Sequence, residues 1–144
     1  NNQDLNKREA GKFLISLDLF SQKLGYYINN DSSVLLDGVK NHVAQSLVEG
    51  MTIKDSHENI VVKIKDVEKS YGIRSWVGNN GYVETIDPNR TKVTLQIEIV
   101  GEKIGDYYYY RNEAPIIIDQ DLHLIFNNVS VLGYITKVEP LLEN

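Results

Sequence analysis

Three histidines, His42, His57 and His123, and twenty acidic residues are the side chains best suited to metal or acid–base chemistry in this chain. A metal site needs ligands converging at about 2 Å, and paired spacings such as His-x-x-x-His or His-x-His supply two of them from one element. No such pair is present. Asp119, Asp121 and His123 alternate, so an extended backbone would set them on one strand face as a three-ligand edge for a divalent cation. The plainer reading of Asp-x-Asp before a strand is a solvated loop. His57, in the polar run Asp55-Ser56-His57-Glu58-Asn59, reads as part of a solvated turn. Nucleophilic chemistry has less support: there is no cysteine and no Gly-x-Ser-x-Gly elbow. Residues 101–105, Gly-Glu-Lys-Ile-Gly, lack the terminal Lys-Ser/Thr and the strand–turn–helix setting of a phosphate loop. A carboxylate pair for glycoside hydrolysis is available by composition, but nothing in the spacing sets two acids face to face. The residues therefore indicate no catalytic group, no metal site and no cofactor.

The aromatic residues point elsewhere. Nine tyrosines and one tryptophan lie mostly in the second half. In the run Tyr107-Tyr108-Tyr109-Tyr110 a strand would send Tyr107 and Tyr109 to one face and Tyr108 and Tyr110 to the other. One pair can join a core while the other stays on the surface. Exposed tyrosines on a sheet serve protein interfaces, because they bury much area at low entropy cost, and they can also stack on sugar rings. Plain cross-strand packing with the hydroxyls in water is the alternative.

The elements that must position these residues are short. Residues 50–68 read as two strands around the polar turn 55–59, and residues 118–139 read as a fainter copy turning at Asn127-Asn128. Both copies end on Ile, two residues, then Val-Glu: Ile64 to Glu68 and Ile135 to Glu139. Ile64 and Val67 are thus expected at positions equivalent to Ile135 and Val138. Residues 91–100 alternate cleanly, with Val93, Leu95, Ile97 and Ile99 on one side and Thr94, Gln96 and Glu98 on the other. Asn80-Gly81 signals a tight hairpin turn through positive φ, and Asp87-Pro88-Asn89 a second break. Residues 40–49 predict a short helix with Val43, Leu47 and Val48 on one side and Gly50 as its C-terminal cap.

At the start of the chain Phe13, Leu17, Phe20, Leu24 and Tyr27 recur at helical spacing, widened by Leu14, Ile15 and Leu19. This predicts an amphipathic helix with more apolar circumference than one small domain needs. The competing pattern is the alternation Ile15, Leu17, Leu19, which would make a strand; the longer periodicity favours the helix. The expected architecture is a mainly β domain, a small antiparallel barrel or sandwich built from two related hairpins, with an N-terminal α-helix. Residues 1–30 form the helical segment, an interface or a membrane-proximal stalk, and residues 31–144 the β-rich domain.

At 144 residues the chain has the size of one ordinary domain and can bury a core without disulfides. Fifteen basic residues against twenty acidic give a net charge of −5, with both signs interspersed, which disfavours nucleic-acid binding. No apolar run approaches the roughly 18 residues of a membrane span, and no signal peptide is visible. The first residue is Asn rather than Met, so a preceding segment is expected.

The order of pieces over residues 34–139 resembles a bacterial family known only as a domain of unknown function, DUF 4330. The matching runs are V-L-L-D-G-V-K-N-H-V-A-Q-S-L, E-G-M-T-I-K-D closing on K-I-K-D-V-E, the strand K-V-T-L-Q-I-E-I, the tyrosine segment Y-Y-Y-Y-R-N-E-A-P-I, and L-G-Y-I-T-K-V-E. The first hairpin departs in having Lys63 where a glycine would match Gly133. The resemblance implies an extracytoplasmic β-domain of a bacterial cell envelope, anchored through a membrane segment absent from this sequence. It implies no activity.

The resulting expectation is a non-enzymatic structural or protein-interaction module of a bacterial envelope or surface assembly, with a protein partner or self-association. Its expected interface residues are Phe13, Leu17, Phe20, Leu24, Trp76, Tyr108 and Tyr110. A cytoplasmic location is the alternative. The alternative functions are a carbohydrate-binding module, or a metal-dependent hydrolase using scattered carboxylates and His123.

Overall fold

A computed structural model of the chain describes residues 9–20 and 34–142. These residues form ten strands and one short helix: β1 (Ala10–Leu19), β2 (Val34–Asp37), β3 (Val39–Lys40), α1 (Asn41–Gln45), β4 (Thr52–Lys54), β5 (Ile60–Gly78), β6 (Gly81–Ile104), β7 (Tyr107–Tyr110), β8 (Ala114–Pro115), β9 (Asp121–Ile125) and β10 (Ser130–Pro140). All described pairings are antiparallel, in one curled sheet that makes a half-barrel. The main order is β2-β5-β6-β1-β10-β9. One edge of β5 carries both β4, at its beginning, and β2, near its end. Among the described residues β4 and β9 do not pair with each other, so the curl stays open.

The N-terminal helix is overturned. Residues 10–19 are a strand in the middle of the sheet, paired with β6 on one edge and β10 on the other. Phe13, Ile15, Leu17 and Leu19 share odd positions, and Ile15, Leu17 and Leu19 are buried in the core. Two strand edges offer this backbone a full set of hydrogen bonds, and the period-2 set then meets a core that a helical stripe would have had to find elsewhere. The separation of residues 1–30 from a β-domain falls with it, because β1 belongs to the same sheet. Leu24 and Tyr27 lie outside the described residues. The second expected helix shrinks to α1, which buries Ala44. Leu47 is buried beyond its end, and Val48 is exposed. Gly50 takes φ +94°, but in the turn before β4 rather than as a helix cap.

The core is lined from both halves of the sheet: Val62 and Ile64 of β5; Val93, Leu95, Ile97 and Ile99 of β6; the odd residues of β1; Leu122 and Leu124 of β9; and Val131 and Ile135 of β10. Two of these strands carry a matching irregularity. In β5, Ile64 pairs with Ile97, Asp66 with Gln96 and Val67 with Leu95, leaving Lys65 as an extra residue. In β10, Ile135 pairs with Leu17, Lys137 with Ser16 and Val138 with Ile15, leaving Thr136 extra. In an unbroken strand, residues three apart point to opposite faces. A bulge inserted between them resets the alternation, so Ile and Val both turn inward. That is the physical content of the repeated Ile-x-x-Val-Glu.

The match extends upstream. Gly50 N–H donates to Ile64 O (2.8 Å) and Ile64 N–H to Met51 O (2.9 Å); Asp119 N–H donates to Ile135 O (2.7 Å) and Ile135 N–H to Gln120 O (3.0 Å). Gly50 and Asp119, at φ +94° and +71°, occupy the same place in their turns. Between the two halves, Ile15 pairs with Ile97, Ser16 with Gln96 and Leu17 with Leu95. Exchanging β5 with β10 and β6 with β1 maps these pairs onto one another, so a local two-fold axis passes through Ser16–Gln96. There Ser16 Oγ donates to Gln96 Oε1 at 2.8 Å. In this register the residue equivalent to Gly133 is Val62, and Lys63 matches Tyr134.

Candidate functional site

The histidines and acids singled out above do not assemble. His57 sits in the exposed turn, where Asp55 Oδ1 accepts its backbone N–H at 2.8 Å and that of Asn59 at 3.0 Å. The Asn59 N–H is the main cause of a lowered Asp55 pKa; slight burial opposes it. His42 lies on α1, far from either of the others in the pairing scheme. His123 is exposed on β9, with Nε2 2.8 Å from Ser130 Oγ. Asp119 is taken up by its turn. Among the described residues no group of three or more His, Asp or Glu side chains is disposed to hold a metal ion.

The expected interface residues separate. Leu17 is fully buried and Tyr110 is 4% exposed, so both belong to the core and neither is available to a partner. Burial pushes the Tyr110 pKa up. Tyr108 packs against the core and meets Phe13 edge-on at 5.1 Å, so of the tyrosine run the surface member is Tyr107. Phe20, half-buried, stacks on Tyr134 at 6.1 Å. Leu24 lies outside the described residues. Among the described ones, only Trp76 lies on an element distinct from the barrel.

That element is an arm. Beyond Tyr71 the β5–β6 pair departs from the barrel and continues as a ribbon to Gly78 and Gly81, joined by Asn79-Asn80. The loop is thus one residue earlier than expected, with Gly81 at φ +116° leaving it. β2 adds a third strand, pairing Val34 with Trp76 and Asp37 with Ile73. No residue of the arm between 72 and 87 contributes to the apolar core. By alternation and register one face carries Leu35, Asp37, Ile73, Ser75, Val77, Tyr82, Glu84 and Ile86, and the other Val34, Leu36, Arg74, Trp76, Val83 and Thr85. The first face is open: Val77 is 73% exposed, Tyr82 64% and Ile86 52%.

The arm meets the barrel at an elbow. Tyr71 pairs with Thr91 and Gly72 with Asp87, so residues 88–90 loop out of β6. The loop folds over Gly72: a Cβ there would stand 2.4 Å from Arg90 O. Asn41 Nδ2 donates to Pro88 O (2.8 Å), Thr91 Oγ1 to Asn41 Oδ1 (2.8 Å) and Arg90 Nη1 to Gly38 O (2.9 Å). Beside these bonds lies an open cleft of about 410 Å³, lined by Leu36, Lys40, His42, Arg74, Asp87 and Arg90 among others. Three permanent cations face one carboxylate there. Asp87, 3% exposed, accepts Asn89 N–H at 3.0 Å and stands 3.9 Å from Arg74 Nε, which is shielded from solvent and makes no hydrogen bond. A second depression, of about 310 Å³ on the polar outer face of the barrel, is internally matched. In it Lys92 pairs with Asp37 (3.4 Å) and Thr94 Oγ1 donates to Asp18 (2.8 Å), while burial and then Asp18 raise the Tyr134 pKa.

The sequence reading missed the elbow cluster. Its only trace was the break at Asp87-Pro88-Asn89, since Lys40, Arg74 and Arg90 become neighbours only through the pairing of β3 with β6 and of β5 with β6. Among the described residues no helix is long and apolar enough to cross a membrane. The chain matches no family model, no curated protein and no solved structure.

Proposed function

We propose that this domain is a non-enzymatic protein-interaction module and that it grips its partner with the arm. The carrying observation is that Leu35, Val77, Tyr82 and Ile86 stand exposed on one face of the arm, interspersed with Asp37, Ser75 and Glu84, and unused by the core. Large apolar side chains exposed together on a small domain mark an interaction site, and a β-ribbon presents them without disturbing the barrel. The resemblance proposed over residues 34–139 favours a setting in a bacterial cell envelope, outside the cytoplasm. The two hairpins, on this reading, are related copies that form the scaffold. The carbohydrate-binding alternative rests on a row of exposed aromatic rings. Trp76 and Tyr82 lie on opposite faces of the arm, and Tyr107 pairs at the other end of β6, so these three rings do not line up.

Site-specific photo-cross-linking in cells that make the protein tests this. A probe at position 82 should yield a defined protein adduct that disappears when Val77 and Ile86 are changed to Ser. A probe at Glu68, on the polar barrel surface, should yield none. Equal adducts from both positions, or none from position 82, would overturn the proposal.

A further inference from the structure

The elbow cleft concentrates positive charge in a chain whose net charge is −5. Lys40 is exposed and Arg74 and Arg90 are half-buried, against the single carboxylate of Asp87. Asp87 is occupied, holding the backbone of Asn89 and standing near Arg74. Arg90 is anchored through one nitrogen to Gly38 O, which fixes its guanidinium at the mouth of the loop. The guanidinium of Arg74 lies at the foot of the arm face that also carries Leu36, Trp76 and Val83. Cations at the foot of a sheet face that carries apolar residues farther along complement an extended segment whose acidic residues are followed by apolar ones. Guanidinium groups suit carboxylates because two N–H donors match two oxygens. An open cleft covers little of a free small anion, whereas specific small-molecule sites enclose most of their ligand.

We infer that the elbow cleft receives the carboxylates of an acidic, extended segment of the partner protein, through Arg74, Arg90 and Lys40, with Trp76 and Val83 against its apolar side chains. This rests on the reading of the arm as a protein-binding element and names the chemistry of what it binds.

Trp76 is the sole tryptophan, and it stands on the face in question. Its emission in the full chain is titrated with an acetylated, amidated hexapeptide of three Glu followed by three Val, with its Lys–Val counterpart, and with inorganic phosphate. The Glu–Val peptide should give a saturable change by millimolar concentration that weakens as salt rises. The Lys–Val peptide and phosphate should give none. Arg74→Gln with Lys40→Gln should weaken the Glu–Val peptide by about tenfold or more. Lys40→Gln alone, at an exposed side chain, should weaken it measurably and secures the test if the double variant misfolds. Equal binding by the variants, equal binding of the Lys–Val peptide, or no saturation would overturn the inference. So would phosphate saturating the same signal and displacing the peptide, which would assign the cleft to a free anion. The apolar face on the other side of the arm keeps the two readings apart. Cross-linking from position 82 that persists in Arg74→Gln/Lys40→Gln would sink the acidic-segment inference and leave the arm as a protein-binding element. Peptide binding at the cleft without any adduct from position 82 would do the reverse.

Discussion

The hairpins over residues 50–68 and 119–139 share a turn with a positive-φ residue, a reciprocal pair of hydrogen bonds to an inward isoleucine, a one-residue bulge and an inward valine. They differ in how far the second strand continues. β10 ends at Pro140, two residues after Val138, whereas β5 runs on from Val67 to Gly78 and carries the arm. They differ also at one core position, where Val62 pairs with Ile99 and its counterpart Gly133 pairs with Leu19. The shared part is what a curled sheet requires: bulges add local twist and bend the strand, and both lie where the sheet wraps the core. The unshared extension buries nothing in that core, and the proposed partner contact rests on that difference.

The comparison can be broken most severely at β1, the strand between the halves. Removing residues 1–28 should abolish folding, read as loss of the β-sheet signal in far-UV circular dichroism; a folded truncated chain would mean that β6 and β10 can manage without it. Next come the axis-related core pairs. Ile15→Ala and Leu95→Ala, which occupy equivalent positions about the axis, should each cost roughly 2–5 kcal/mol in urea unfolding, since both side chains are fully buried. A large disparity between them would argue against equivalent halves.

Gly133→Val restores the residue of the first hairpin and should still destabilise, by about 1–3 kcal/mol, because a Cβ there would stand 2.5 Å from the backbone oxygen of Asp18. A neutral result would show that β10 can move away from β1 freely. On the axis, Gln96→Ala should cost about 1 kcal/mol, because Gln96 accepts from Ser16 Oγ and donates to Glu68. A loss as large as that of Leu95→Ala would mean that both faces of the sheet are buried.

The smallest expected effect is on pH dependence. Tyr110 has a raised pKa because burial disfavours its phenolate. Its stabilising contribution is therefore complete below the unfolded value near 10 and is lost as pH rises through the higher folded value. Tyr110→Phe should flatten the alkaline fall in melting temperature above pH 10 and leave neutral pH stability nearly unchanged; an unaltered alkaline limb would assign the fall to other groups.

Much of the barrel was legible. The alternation of residues 91–100, both hairpin turns and the Ile-x-x-Val-Glu endings are local patterns, and β6, β5 and β10 follow them. β1 was misread because Phe20, Leu24 and Tyr27 extend Phe13 and Leu17 into a helical stripe that neighbouring strands, unseen in a local window, override. The interface residues were chosen by side-chain type; Tyr110 and Leu17 have the type but face the core. The elbow cluster draws on three strands far apart in sequence, and no local spacing announces it.

The separation of scaffold from arm is tested most directly by excising the arm. Gly72 and Asp87 are already a cross-strand pair, so Asn-Gly can join them as a two-residue turn. The shortened chain should melt cooperatively within a few degrees of the parent while no longer co-purifying the protein that position 82 of the parent cross-links. If it fails to fold, the arm belongs to the scaffold, and its exposed apolar face is no evidence of a partner.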